Sequence, residues 1–144
     1  MALREIEHKF LVRTESLPPL PTGVSIQQGY LSRKPIVRVR IISDGSAFLT
    51  VKGKGKRARD EFEYKIPVAQ ALTMLKLCGK RRLSKVRYRL GRWELDRFTG
   101  KNAGLWLAEI ELPSEKSRLP KLPSWIGREV TYVHKYGNAN LACR

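Results

Sequence analysis

Residues 4–12 read Arg4-Glu5-Ile6-Glu7-His8-Lys9-Phe10-Leu11-Val12. Glu5, Glu7 and Lys9 share one register, and Ile6, Phe10 and Val12 share the other. That period of two marks a β-strand, because successive side chains point to opposite faces. His8 falls in the apolar register and is expected to be structural. The polar register is ionisable throughout, whereas a solvent-facing strand more often mixes Thr, Ser and Gln with single charges.

The same texture runs through most of the chain. Arg38 and Arg40 oppose Val37, Val39 and Ile41 in residues 36–42, and Lys52 opposes Leu49 and Val51 in 48–52. Arg59, Glu61, Glu63 and Lys65 oppose Phe62, Tyr64 and Ile66 in 59–66. Lys85, Arg87 and Arg89 oppose Val86, Tyr88 and Leu90 in 85–90. Glu94 and Asp96 oppose Trp93 and Leu95 in 92–98, and Glu109 and Glu111 oppose Trp106, Ala108, Ile110 and Leu112 in 105–112. A less polar strand, 24–31, offers Gln28 and Tyr30. Like charges recur at i and i+2, as in Glu5/Glu7, Arg38/Arg40 and Glu109/Glu111, and cost energy unless opposite charges or a ligand answer them. Two architectures fit. One is an open amphipathic sheet with its polar face in water; the other is an antiparallel barrel that brings acids and bases together across its lumen. In the second, the apolar faces point outward and need a helix, long loops or a second subunit as cover.

Between the strands, Ser16-Leu17-Pro18-Pro19-Leu20-Pro21-Thr22-Gly23 is a loop, Asp44-Gly45 a hairpin turn and residues 53–56 a polar connection. One helix is predicted over 67–77, with Pro67 in its first turn, Val68, Ala71, Leu72 and Leu75 near one face, and Gly79 beyond its end. Cys78 reads as a small packing residue, and Trp93 and Trp106 as core. Pro113, Pro120 and Pro123 break up a late loop; Ser124-Trp125-Ile126 and residues 138–142 are expected as short helical turns.

The chain has 144 residues, 42% hydrophobic and 29% charged, which suits one folded domain over 1–144 and excludes a wholly disordered one. No apolar run reaches the roughly 18 residues of a membrane span, so no membrane partner is expected. No secretory signal fits around Glu5, Glu7 and Lys9, and two cysteines allow neither a disulfide framework nor a multi-Cys zinc site. A reducing cytoplasm is the expected compartment. Lys and Arg number 29 against 13 Asp and Glu, a net +16, so an anionic partner is expected. A nucleic-acid binder carries its cations as an outer stripe or run; a pocket for a small polyphosphate makes them converge with acids among them. The interleaved strands fit the pocket, though the charge alone leaves nucleic acid open.

Glu5, Glu7 and Lys9 lie on one strand face with about 7 Å between successive Cα atoms. Two carboxylates at that spacing can hold a hard divalent cation such as Mg2+ or Mn2+, with Lys9 beside a bound anion. In isolation the motif would better describe a surface Glu/Lys ladder; Glu109-Ile110-Glu111 and Asp96 add carboxylates from two further strands. Arg38, Arg40, Lys52, Arg59, Lys85 and Arg87 suit a phosphate clamp, Arg through bidentate contacts and Lys as a compact point charge; a nucleic-acid surface or simple solvation is the alternative. Lys52-Gly53-Lys54-Gly55-Lys56-Arg57 resembles a basic nucleic-acid patch and is as readily a loop. Neither it nor Gly100-Lys101-Asn102 matches the P-loop pattern. His134, beside Lys135 and Tyr136, carries a weak functional signal, and no Ser-His-Asp or Cys-His arrangement can be argued from spacing.

In order along the chain come Glu5-x-Glu7-x-Lys9, Gln28-Gly29-Tyr30-Leu31, Arg38-x-Arg40, Lys52, Arg59-x-Glu61-x-Glu63, Lys85-x-Arg87, Asp96 and Glu109-x-Glu111. This ordered set resembles the CYTH family, the triphosphate tunnel metalloenzymes, and most of all its short bacterial members. The resemblance implies an α+β, mainly β fold: a closed eight-stranded antiparallel barrel, or tunnel, with a charged lumen as active site, covered by one or a few helices. It implies that Glu5, Glu7, Glu109 and Glu111 ligate Mg2+ or Mn2+, with Glu63 and Asp96 as further candidates. It also implies that Lys9, Arg38, Arg40, Lys52, Arg59, Lys85 and Arg87 hold a triphosphate, with Tyr30 closing over the entrance.

The function expected from it is a metal-dependent phosphohydrolase that removes the terminal phosphate of tripolyphosphate or of nucleoside triphosphates. Lys9 counts among its catalytic residues, and Glu63 or Asp96 orients the attacking water. Class IV adenylate cyclase and thiamine triphosphatase are the alternatives within the family; a non-enzymatic binder of polyphosphate or RNA is the alternative outside it. The outward apolar faces admit a homodimer, and the unusually basic balance leaves an outer-surface role open.

Overall fold

The computed structural model describes the backbone of residues 3–54 and 58–144 and the side chains of residues 6–54 and 60–144. Its strands are β1 Leu3–Val12, β2 Val24–Arg33, β3 Ile36–Ile42, β4 Ala47–Lys52, β5 Ala58–Lys65, β6 Arg82–Leu90, β7 Trp93–Thr99, β8 Trp106–Leu112 and β9 Ile126–Glu129. The helices are α1 Val68–Leu77, after β5, and α2 Asn138–Ala142, after β9. The strands form one antiparallel nine-stranded sheet in the order β5-β4-β3-β2-β6-β7-β8-β1-β9. β5 also pairs with β1, from Leu3↔Glu61 to Ile6↔Ala58.

A ninth strand joins the eight expected. Ile126 opens β9 rather than a helical turn, since four residues are too few to display a period and the pairing is long-range, Val12↔Ile126 and Phe10↔Glu129. Ile6 pairs with both Ala58 and Leu112, and Phe10 with both Glu129 and Ala108. β5 and β9 therefore share the β1 edge opposite β8.

The apolar residues do not gather at one centre. Ile6, Phe10, Trp93, Leu95, Ile110 and Leu112, facing away from the charges, pack under Trp125, Ile126 and the loop residues Leu17 and Leu20. Trp93 meets Phe10 and Trp125 edge-on, with ring centroids 5.5 and 5.8 Å apart. Trp106 is half-buried and stacks on Tyr88 at 6.2 Å. Val39 and Ala47 lie under Ala71, Leu75 and Cys78, at and just beyond α1. The buried stripe of this helix is narrower than expected: Leu72 is 51% exposed, because Ala71, Leu75 and Cys78 already span the face that meets the sheet. Gly79, at φ +60°, takes the left-handed position past the helix end.

A third cluster lies on the same strand face as the charges. Leu83, Phe98 and Leu107, each two residues from Lys85, Asp96 and Glu109, pack with Tyr30, Val130, Leu141 and Ala142. The last segment of the chain thus fills one end of the charged face with apolar side chains, the end where β1 finishes and β6 and β8 begin. Burial of Phe98, Leu107 and Leu141 stabilises the fold by about 1.5–3 kcal/mol each. Among the described residues no helix is long and apolar enough to cross a membrane.

Candidate active site

Ionisable side chains from seven strands converge on one cavity of about 590 Å3. β1 supplies Glu7 and Lys9, β3 Arg38 and Arg40, β4 Lys52, β5 Glu61 and Glu63, β6 Arg87, β7 Glu94, and β8 Glu109 and Glu111. Spacing at i and i+2 puts each pair on one face. The antiparallel register then sets Glu7 opposite Glu111 and Lys9 opposite Glu109, with Glu94 opposite Glu109 on the other side. Tyr30 of β2 and residues of the final segment, among them Tyr132, His134 and Asn138, complete the lining.

Lys9 Nζ lies 3.3 Å from Glu109 Oε1 and donates to the Tyr136 carbonyl at 3.1 Å. Arg38 Nη2 lies 3.9 Å from Glu61 and 4.0 Å from Glu63, and Lys52 Nζ 3.7 Å from Glu61. The two Arg38 contacts are loose, since a charged N–H can approach a carboxylate to about 2.8 Å. Arg38 Nε is buried and has no acceptor among the described residues. Such an orphan donor costs about 1–3 kcal/mol, and an anion in the cavity would supply what it lacks. The Thr50 hydroxyl accepts from Arg38 Nη2 and donates to Glu63 Oε2, both at 3.3 Å.

Gln28 is fully buried and ties two lining residues together. Its Oε1 accepts from Arg40 Nε at 2.8 Å, and its amide nitrogen donates to the Tyr30 hydroxyl at 3.3 Å. Burial first, then the charges of Arg38 and Arg87, push the Arg40 guanidinium down to about 9. A bound anion would relieve both causes.

Two expected site residues, Lys85 and Asp96, sit behind the lining rather than on it. They pair at 2.7 Å, with Lys85 fully inaccessible. Arg87 forks onto Asp96 through Nε at 2.8 Å and Nη2 at 2.9 Å, and its Nη1 reaches Glu94 at 3.2 Å. Lys85 also donates to Asn138 Oδ1 at 3.3 Å. Burial alone would raise the Asp96 pKa, but the Lys85 charge and the Arg87 hydrogen bonds outweigh it and hold the carboxyl well below the usual range. Burial pushes Lys85 down to about 7 despite Asp96.

The carboxylates offer oxygen donors only, the kind a hard divalent cation takes. Burial, then Glu7, Glu94, Glu109 and Glu61, push the Glu111 carboxyl up. Like charges crowded in this way fit a cation among them. Glu109 is held low against the cost of burial, chiefly by Lys9. Among the described residues no three His, Cys, Asp or Glu side chains are already gathered around one point. The side chains of Glu5 and Arg59 lie outside the described residues, as do residues 55–57 of the basic run; the Glu5 and Arg59 backbones are direct partners across β1 and β5.

Of the expected residues, the structure therefore brings Glu7, Lys9, Tyr30, Arg38, Arg40 and Lys52 to the cavity with Glu63, Arg87, Glu109 and Glu111. Glu61, quoted in the ordered set without a role, and Glu94 join them, and alternation had put both on the ionisable face. The final segment gave no periodicity by which to find Tyr132 or Asn138. His8 lies outside the lining, with Nδ1 2.8 Å from Glu129 Oε2 on β9.

The family model of the CYTH domain matches residues 3–139. The chain belongs to the CYTH family. A CYTH relative from Acetivibrio thermocellus, named inorganic triphosphatase, is 44% identical over 146 residues, covering 96% of this chain and 92% of that protein. Another of the same name, from Nitrosomonas europaea, is 35% identical over 153 residues, covering 97% of each. The crystal structure of an inorganic triphosphatase aligns with this CYTH chain at a TM-score of 0.67 and 33% identity, over 99% of this chain and 96% of that one.

Proposed function

We propose that this protein hydrolyses the terminal phosphoanhydride of inorganic tripolyphosphate, with a divalent metal, inside a closed eight-stranded tunnel. The observation that carries the proposal is the convergence of Lys9, Arg38, Arg40, Lys52 and Arg87 with six carboxylates on one cavity. The names of the relatives support the substrate, and the β5–β1 pairing supports closure, with β9 extending β1 outside the eight.

Lys9, Arg38, Arg40, Lys52 and Arg87, with Arg59, hold the phosphates and stabilise the charge that spreads over the transferred phosphoryl oxygens. Tyr30 borders the substrate. Glu7, Glu109 and Glu111, with Glu5, would hold Mg2+ or Mn2+, which supplies neutralising charge at the phosphate oxygens. Glu63 is 47% exposed and meets Thr50 and Arg38 through Oε2. On this reading its Oε1 orients a water towards the terminal phosphorus and takes its proton as the bond to the bridging oxygen breaks. Phosphate and pyrophosphate leave. Asp96, with both oxygens engaged by Lys85 and Arg87, serves as a positioning residue for Arg87.

The test is product analysis on tripolyphosphate, ATP, GTP and thiamine triphosphate with Mg2+, Mn2+ or chelator. Orthophosphate release that needs metal and is fastest from tripolyphosphate is expected. A Glu7→Gln, Glu111→Gln double variant should lose at least about a hundredfold in rate. Cyclic AMP with pyrophosphate from ATP would replace hydrolysis by cyclisation, and absence of phosphate with either metal would refute both. Cys78 and Cys143 are free, which suits a reducing cytoplasm. Phe62 and Tyr64, exposed on β5 opposite Val51 and Leu49, support association of two copies, to be read by light scattering as twice 16.5 kDa.

A further inference from the structure

The excess positive charge does not belong to the cavity. Its lining residues, taken with Lys85 and Asp96 behind them, comprise six cations and seven carboxylates. Set against 29 Lys and Arg and 13 Asp and Glu in the chain, that leaves 23 cations and 6 carboxylates, among which Arg59 and Glu5, assigned to the site above, cancel. The whole of the +16, and one charge more, lies outside the site.

Part of that excess is concentrated at the end of the sheet filled by α2. Arg33, Lys80, Arg81, Arg82, Lys101 and Arg144 are all exposed there. Contacts join them: Arg33 donates to Asn140 of α2, and Lys101 Nζ donates to the Lys80 carbonyl at 3.0 Å and to that of Ala142. Arg81 Nε donates to the Tyr30 carbonyl at 3.0 Å, and Arg82 stands opposite Gly29 of β2. Every one of these acceptors is neutral. None of the six cations pairs with a carboxylate among the described residues. Arg33, Arg81 and Lys101 are held in place by these contacts, and the six together are left uncompensated, as a surface awaiting an anion requires.

We propose that this rim is a docking surface for single-stranded nucleic acid, held by its phosphates. The cations come from the end of β2, the approach to β6 and its first residue, the β7–β8 turn and the second residue after α2. β3, β2, β6, β7 and β8 are consecutive in the sheet, so at ~4.8 Å per strand the rim follows an arc of about 19 Å. A flexible single strand can bend along such an arc and meet each cation, whereas a rigid duplex or a flat bilayer touches only part of it. Tyr136, half-buried beside the α2 cluster, has Lys135 Nζ over its ring at 5.1 Å from the centroid. None of the six residues lines the cavity, so the inference stands apart from the proposed hydrolysis.

The test uses the full chain and a fluorescent oligouridylate of about 20 nucleotides, with anisotropy read from about 50 to about 300 mM NaCl. For a single strand log K falls with log salt by about 0.7 per phosphate neutralised, so six contacts predict a slope near −4. The combined Lys80→Gln, Arg82→Gln, Arg144→Gln variant should flatten the slope to about −2 and weaken binding roughly tenfold or more at the lowest salt. Its melting temperature and its phosphate release at saturating tripolyphosphate should match the parent's. Tripolyphosphate at levels that saturate the cavity should leave the oligomer bound. Equal binding by the variant, displacement by tripolyphosphate at those levels, or capture of phosphatidylserine vesicles without capture of the oligomer would each overturn the proposal.

Discussion

Gln28 has no charge, yet it holds Arg40 with one end of its amide and the Tyr30 hydroxyl with the other. Leucine at that position would keep the bulk and leave both groups without a partner inside the wall. A hydrogen bond to a charged group contributes about 1.5–3 kcal/mol. Gln28→Leu should therefore raise KM for tripolyphosphate roughly tenfold or more while kcat changes less, as steady-state kinetics would show. Asp96 makes a prediction in pH. Its folded pKa lies below the ordinary value, so its stabilising effect is fully present above about pH 4 and is lost as pH falls through the folded pKa. Asp96→Asn strands a buried Lys85 and should cost about 3–5 kcal/mol near neutrality. In thermal melts the gap between variant and parent should close as the solution is acidified.

At the scale of elements, β2 approaches the end of α1 closely at Gly29. A Cβ there would stand 2.7 Å from Cys78 Sγ, 2.9 Å from Cys78 Cβ and 3.2 Å from Leu75 Cδ2. Gly29→Ala should push the helix outward and cost about 1–3 kcal/mol. Cys78→Ala in the same background should recover part of that, measured as a double-mutant cycle in melts. Strands and helix alike were legible because each has one ionisable or polar face and one apolar face. Alternation names the face of a side chain but not its level along the strand, and this is why Lys85 and Asp96 read as site residues although they sit behind the lining. The inner register turns from charged to apolar in Arg87-Lys85-Leu83, in Glu94-Asp96-Phe98 and in Glu111-Glu109-Leu107. That three such turns fall at one end, and so make a seat for α2, depends on cross-strand register, which no single strand contains. β9 was hidden for a related reason: its four residues are defined by the β1 edge they meet.

At the scale of the molecule, three separate apolar clusters among the described residues replace a single centre. Leu141 is fully buried in the one that closes the cavity. Leu141→Ala should lower unfolding free energy by about 2–5 kcal/mol in denaturant titrations. The near-ultraviolet signal of Trp93 and Trp125, in a different cluster, should persist until the global transition. The separation of charge has a further consequence for encounter. With its interior close to electrical balance, the protein attracts a distant anion chiefly through residues that the anion will not touch once seated. Capture should slow as ionic strength rises, because the Debye length shrinks to about 8 Å under physiological conditions. Retention, governed by contacts at a few ångströms, should change far less, so arrival and grip can be retuned independently of one another.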